Sequence, residues 1–153
     1  MDKKHLEEVH EEIPEYNPLR LKAIDEDGVM ILSSTLQDAV FPISAIAYEK
    51  EEGAFKILAN RYCWEAEDPK CLGHRVHAGI SFGNVESVRQ KGIDFDHPEE
   101  ILTFLSMEYH DNTVRLIFAG GKLIEIKVND LECKLADFDA PYPTHSIPDH
   151  EKY

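Results

Sequence analysis

The sequence predicts an α+β domain that is predominantly antiparallel β, with seven or eight strands in a sandwich or a partly open barrel and one or two short helices. Three observations carry that prediction. Apolar residues alternate at a period of two through most of residues 39–138; short connections rich in Gly, Asn and Asp separate those stretches; and one internal segment, 26–37, keeps its apolar residues at helical spacing. Such a sheet has an apolar face that a second sheet or a helix must cover.

Residues 1–18 form an acidic leader in which Leu6, Val9 and Ile13 stand three and four apart, a spacing that allows one short helix ended by Pro14 and Pro18, but three apolar side chains bury little surface and the alternative is a loosely docked or disordered segment. Residues 19–24 are expected to form a first short strand. Asp25 then caps a helix over 26–37, because its carboxylate can accept from the first free N–H groups while Val29, Leu32 and Leu36 line one side. From Ala39 the period changes. Val40, Phe41, Ile43, Ile46 and Tyr48 are strand formers interrupted by Pro42, which has no N–H to give a ladder and marks a break or a bulge.

The clearest hairpin covers 44–65, with its turn at Lys50-Glu51-Glu52-Gly53, where Gly53 can take a positive φ. In its second arm Phe55, Ile57 and Ala59 share one face, and Lys56, Leu58 and Asn60 the other. A polar connection over 65–73 follows. A strand opens near His74, with Val76, Ala78, Ile80 and Phe82 at a period of two, and 85–90 continues toward the turn residues Lys91-Gly92. After a loop at 96–100, Ile101, Thr103, Leu105, Met107 and Tyr109 alternate as a strand, and His110-Asp111-Asn112 supplies a turn. Val114, Leu116 and Phe118 alternate again, Gly120-Gly121 makes a two-residue hairpin loop, and Ile124, Ile126 and Val128 return inward. Asn129-Asp130 shift the alternation by one residue. That shift predicts a bulge within one long strand that resumes through Leu131, Cys133 and Leu135. The globular domain is thus 19–138, and 139–153, with Pro141, Pro143, Pro148, His145 and His150, is an extended tail.

A chain of 153 residues can bury roughly two thirds of its unfolded surface, so it needs no disulfide or metal to be stable. Its 16 Lys and Arg against 30 Asp and Glu give a net charge of -14, which repels nucleic-acid backbones and anionic membranes at long range. No apolar run approaches the ~20 residues of a membrane span. The opening MDKKHLEEVHEEIPEY lacks the continuous apolar stretch of a signal peptide, and three widely placed cysteines fit a reducing compartment. The expectation is a cytoplasmic protein with neither nucleic-acid nor membrane partners.

The stretch CWEAEDPKCLGHRVH gathers Cys63, Cys71, His74 and His77, residue types that bind zinc. Zinc sites bring such ligands as closely spaced pairs on turns, with a longer span between pairs, and that pattern is absent here. If a strand begins at His74, residues three apart point to opposite faces and the two imidazoles diverge. The metal-enzyme alternative would use these four residues, with Glu65, Glu67 or Asp68 as general base; a thiol enzyme would use Cys71 with His74. No cofactor is expected. The remaining histidines stand in the leader, in turns and in the tail, and the chain has no Gly-x-Ser-x-Gly elbow.

Five segments in order, LQDAV (36–40), NRYCWE (60–65), VESVRQKGID (85–94), IFAGG (117–121) and LECKLADF (131–138), resemble an uncharacterised alphaproteobacterial family, domain of unknown function 2948. The resemblance covers about residues 19–150. It implies a bacterial cytoplasmic protein and no assigned activity, cofactor or catalytic residue; Cys63 and Cys71 are not among the family's hallmarks. It directs attention to polar residues within those segments: Gln37, Asp38, Asn60, Arg61, Trp64, Glu65, Arg89 and Asp94. A polar group beside the only tryptophan can form a recognition surface, since Trp and Arg supply much of the energy at interfaces. The competing assignment has Asp38 and Asn60 satisfying turns, Arg61 paired with a carboxylate and Trp64 in the core. The function expected is a non-catalytic binding or scaffold module acting through a protein surface or a small ligand in the sheet mouth, with a homodimer through edge strands as a further option.

Overall fold

The computed structural model describes residues 18–64, 73–138 and 141–144. The leader, the 65–72 connection and most of the tail therefore lie outside the described residues.

One helix and eleven strands are described, more than the seven or eight expected, because short pieces count separately and one predicted long strand is two. After β1 (Arg20–Ala23) comes α1 (Glu26–Leu36), whose N-cap Asp25 accepts from the Gly28 N–H at 2.8 Å and whose Val29, Leu32 and Leu36 are buried. This is the cap and the stripe that the sequence implies. Pro42 ends β2 (Val40–Pro42), and a 3-10 turn at Ile43–Ala45 leads into β3 (Ile46–Glu49). The turn to β4 (Ala54–Tyr62) closes on Gly53, whose φ of 61 places it in the left-handed region.

The remaining strands are β5 (His74–Phe82), β6 (Val85–Lys91), β7 (Ile101–His110), β8 (Thr113–Phe118), β9 (Lys122–Val128), β10 (Cys133–Asp137) and the two-residue β11 (Tyr142–Pro143). All pair antiparallel in the order β1-β10-β5-β4-β2-β7-β8-β9-β6, with β3 added to β4 and β11 to β5. The sheet is open, since its ends β1 and β6 do not pair. It nonetheless folds back on itself: the Val85 N–H at the start of β6 reaches the Gly53 carbonyl at 2.9 Å.

The core lies between the two halves and under α1, which packs on β7 and β1. Phe118 meets Phe41 and Phe104 edge to face at 5.6 and 6.1 Å, and Phe55 meets Phe82 at 6.2 Å.

Three expectations are corrected. Gly120-Gly121 is not a two-residue loop, since Ala119, Gly120 and Gly121 all lie between the paired Phe118 and Lys122. Asn129-Asp130 do not form a bulge in a single strand: β9 ends at Val128 and β10 begins at Cys133, and the two pair with different neighbours, β8 and β6 against β5 and β1. The chain turns a corner there, passing from one half of the fold to the other. In β7 the alternation is broken by a register shift between Phe104 and Ser106, so the buried residues are Leu102, Phe104 and then Met107, whereas Ile101 is 56% exposed. We expect Leu102→Ala to destabilise by about 2–5 kcal/mol and Ile101→Ala by no more than about 0.5 kcal/mol, measured by urea unfolding. The reverse ranking would place the bulge wrongly.

Candidate functional site

At one end of the core, β4 brings in Arg61 by simple alternation, on the face that already holds Phe55, Ile57 and Ala59. Its guanidinium has no exposed surface and meets Asp137 of β10 in a fork: Nε donates to Oδ1 at 2.8 Å and Nη2 to Oδ2 at 2.7 Å. The Leu19 N–H adds a third bond to Oδ2 at 2.9 Å, and Asp137 returns one from its own N–H to the Leu19 carbonyl at 3.0 Å. The geometry is the planar bidentate match that makes Arg the residue for buried carboxylates.

With Arg61 inward, Asn60 and Tyr62 must point outward. Opposite them on β5 stand His77 and Arg75. Arg75 is itself buried: Nη1 donates to the carbonyls of Asp38 at 3.2 Å and Asn60 at 3.1 Å, and its guanidinium carbon lies 5.8 Å from the centre of the Tyr62 ring. Asp38 takes a φ of 66, a conformation Asp tolerates better than most residues, at the corner between α1 and β2. Trp64 bridges to that corner, its indole N–H donating to the Gln37 carbonyl at 2.9 Å while its ring meets Tyr62 edge to face at 4.7 Å. A Cβ at Gly73 would run into the Tyr62 ring, so glycine there is what leaves the ring its place.

The other side of the same outer face is aromatic as well. His77 stacks on Phe138 at 5.7 Å and lies 5.4 Å from Tyr142, which β11 holds against Arg75. Trp64 is 41% exposed and Phe138 53% exposed, with Leu58 exposed on the same face of β4. Among the described residues Asn60 Oδ1 and His74 Nδ1 are buried without a hydrogen-bond partner.

The structure therefore brings together Gln37, Asp38, Asn60, Arg61 and Trp64, and separates Arg89 and Asp94 from them. Arg89 lies on β6 with its guanidinium on Glu125, and Asp94 sits in the following loop, where its carboxylate accepts from the Asp96 N–H at 2.9 Å. Glu65 lies outside the described residues. Gln37 contributes its backbone carbonyl, not its side-chain amide, to the Trp64 contact. Trp64 is not in the core, contrary to the bland assignment, whereas Arg61 does pair with a carboxylate. Tyr62, Arg75, Asp137, Phe138 and Tyr142 are not among the residues the sequence singles out, and His77 is singled out there only as a possible metal ligand. Period-two alternation would have grouped them only if the β4–β5 pairing across the long 63–73 connection had been known.

Of the four residues weighed as metal ligands, Cys71 lies outside the described residues and Cys63 is buried; His74 and His77 fall on opposite faces of β5 by alternation. Among the described residues no three His, Cys, Asp or Glu side chains gather as a metal site. Burial pushes the Cys133 thiol up to about 12, which keeps it protonated and unreactive. The apolar void under α1, lined by Leu36, Phe41, Ile57 and Met107 among others, holds about 10 Å³, at the limit for a single water, so a ligand inside the sheet has no room there.

A second group of side chains covers the outer face of β7, β8, β9 and β6. Register places Glu108, Arg115, Glu125 and Arg89 in one row across four strands. Glu125 accepts from Arg89 at 2.6 Å and from Arg115 at 3.0 and 3.3 Å. The hydrogen bonds from Arg115, then those from Arg89, hold its carboxyl below the usual carboxylate range.

An open antiparallel sheet with one covering helix and a polar corner built on a buried ion pair makes this a β-rich α+β domain. The chain belongs to the family described as protein of unknown function (DUF2948), whose model matches residues 19–150. No curated protein and no solved structure matches it. No helix among the described residues is long and apolar enough to cross a membrane.

Removing one member of the buried pair strands the other charge, so Arg61→Met and Asp137→Leu should each destabilise by about 3–5 kcal/mol, and the double substitution by clearly less than their sum. Additive losses in urea unfolding would show that the pair is not coupled. For Glu125 the sign follows from a carboxyl pKa lowered in the folded state: its stabilisation is present above the unfolded value near 4.5 and is lost as pH falls through the folded pKa. Wild type should therefore exceed Glu125→Gln in urea midpoint at pH 7, with the gap closing below about pH 4.5. A gap that stays constant to low pH would contradict the pairing.

Proposed function

We propose that this protein is a non-catalytic binding or scaffold module of the bacterial cytoplasm that docks a protein partner on the outer face of β4 and β5. The observation that carries the reading is an aromatic surface held in place before any partner arrives. Trp64 is fixed by the Gln37 carbonyl and the Tyr62 edge, and Phe138 is fixed by His77. Exposed aromatic side chains that are already immobile lose little entropy on binding, and Trp and Tyr are enriched among interface hot spots. Leu58 extends the apolar surface, and the unmet acceptor at Asn60 lies opposite His77 in the same ladder.

Within this reading Trp64 and Phe138 are the anchors, while Gln37, Asp38, Asn60 and Arg61 hold the corner on which the anchors stand. Arg89 and Asp94 take no part in this surface.

The test is capture from the native cytoplasm with photo-crosslinker incorporated at Leu58, using wild type and the Trp64→Ala, Phe138→Ala double variant. We expect a partner crosslinked by wild type and lost by at least about tenfold in the variant, with unfolding midpoints of the two proteins close enough to exclude a folding defect. Recovery of the same partners by both, or turnover of a small substrate that the double variant retains, would overturn the reading.

A further inference from the structure

On a chain with a net charge of -14, four of the 16 basic side chains, Arg89, Lys91, Arg115 and Lys127, crowd one sheet face. Strands are about 4.8 Å apart and alternate residues on one face about 6.8 Å apart, so these cations lie within about 15 Å of one another. Glu125 holds two of them. Its Oε1 takes Nε and Nη2 of Arg115, and its Oε2 takes Nη2 of Arg89. A guanidinium has five N–H donors in a fixed fork, so each arginine is anchored while keeping donors to spend outward. Glu125, with both oxygens engaged and its side chain only 19% exposed, offers little repulsion to an incoming anion.

Two shallow grooves, each of about 360 Å³, run on either side of the Arg115, Glu125, Arg89 row. One is lined by Ser87, Arg89, Thr113, Glu125 and Lys127. Thr113 already donates its hydroxyl to the Asp111 carbonyl, and Lys127 stands 3.9 Å from Glu86, a loose pairing. The donors turned to this groove are therefore the Arg89 guanidinium, the Lys127 ammonium and the Ser87 hydroxyl, while Arg115 lines the groove on the other side of the row.

We propose that this groove binds a phosphoryl group, as a free or small-molecule phosphate or as a phosphorylated side chain of a protein. A plain charge ladder would need only the Arg115, Glu125 and Arg89 row. The additional hydroxyl and ammonium beside the anchored, partly unspent Arg89 guanidinium are what a tetrahedral dianion requires and a ladder does not. The overall negative charge does not forbid it, because at physiological salt fields decay over about 8 Å and the local cations dominate inside the groove. Long polyanions would still meet the acidic remainder of the surface, so nucleic acid is not the ligand.

The site is independent of the aromatic surface on β4 and β5. The test uses the full chain in calorimetric titrations with inorganic phosphate, phosphoserine and a serine-phosphorylated peptide, against chloride at equal ionic strength. We expect saturable phosphate binding at or below about 1 mM, weakened about tenfold by Arg89→Gln and by Lys127→Gln, and unchanged in Lys134→Gln on β10. Peptide binding much tighter than phosphoserine would identify a protein source, and equal affinities a small molecule. Arg89 is mostly exposed, so its variant should still fold, and a cooperative unfolding transition with a midpoint no lower than that of Glu125→Gln checks this. Absence of saturation below about 10 mM, or binding that Arg89→Gln and Lys127→Gln leave intact, would overturn the proposal.

Discussion

The ion pair between Arg61 and Asp137 is the constraint on which the polar corner rests. Both side chains are fully withdrawn from water, a situation that costs several kcal/mol per ion unless the partners satisfy each other closely. The fork between them, completed by the Leu19 N–H, provides that satisfaction and joins β4, β10 and the entry to β1 at one point. Its consequence reaches past the core. Because a strand turns successive side chains to opposite faces, Arg61 inward obliges Asn60 and Tyr62 outward, and Asp137 inward obliges Phe138 outward. The aromatic surface is in this sense the reverse side of the buried pair.

Arg75 plays the complementary part from the other face. One guanidinium nitrogen reads two backbone carbonyls, Asp38 at the end of α1 and Asn60 on β4, so a side chain ties the corner after the helix to β4, while backbone bonds between Asp38, Ala39 and Phe104 tie it to β7. Trp64 makes a second tie to the same corner through Gln37. Three of the segments that carry the family likeness, 36–40, 60–65 and 131–138, meet at this place although the chain separates them widely.

The sheet presents two chemically different outer faces because it is long and open. Around the Trp64 end of β4 and β5 the exposed groups are largely apolar and aromatic, Leu58, Trp64 and Phe138; over β8, β9 and β6 they are charged and paired across strands. The charged face ends at β6, an edge strand whose exposed Glu86, Arg89 and Lys91 oppose pairing with the edge of a neighbouring sheet. The proposed docking surface and the proposed anion groove thus belong to different halves of one scaffold.

By itself the sequence determined what is local. The Asp25 cap, the stripe of Val29, Leu32 and Leu36, the break at Pro42, the turn at Gly53, and the opening of a strand at His74 all follow from backbone preferences and periodicity within a few residues, whereas the place of the Gly120-Gly121 turn was legible but its three-residue length was not. Tertiary structure decided everything that depends on which strand lies beside which. The bulge in β7 costs one residue and leaves no mark in composition; the corner at 129–132 looks like a bulge until β9 and β10 are seen to have different neighbours. Arg61 finds Asp137 across 76 residues, and Arg89 leaves the group it was read with because β6 pairs at the far end of the sheet from β5, though only two residues join them. Alternation tells a side chain which face to take, but only the pairing of distant strands tells it what else is on that face.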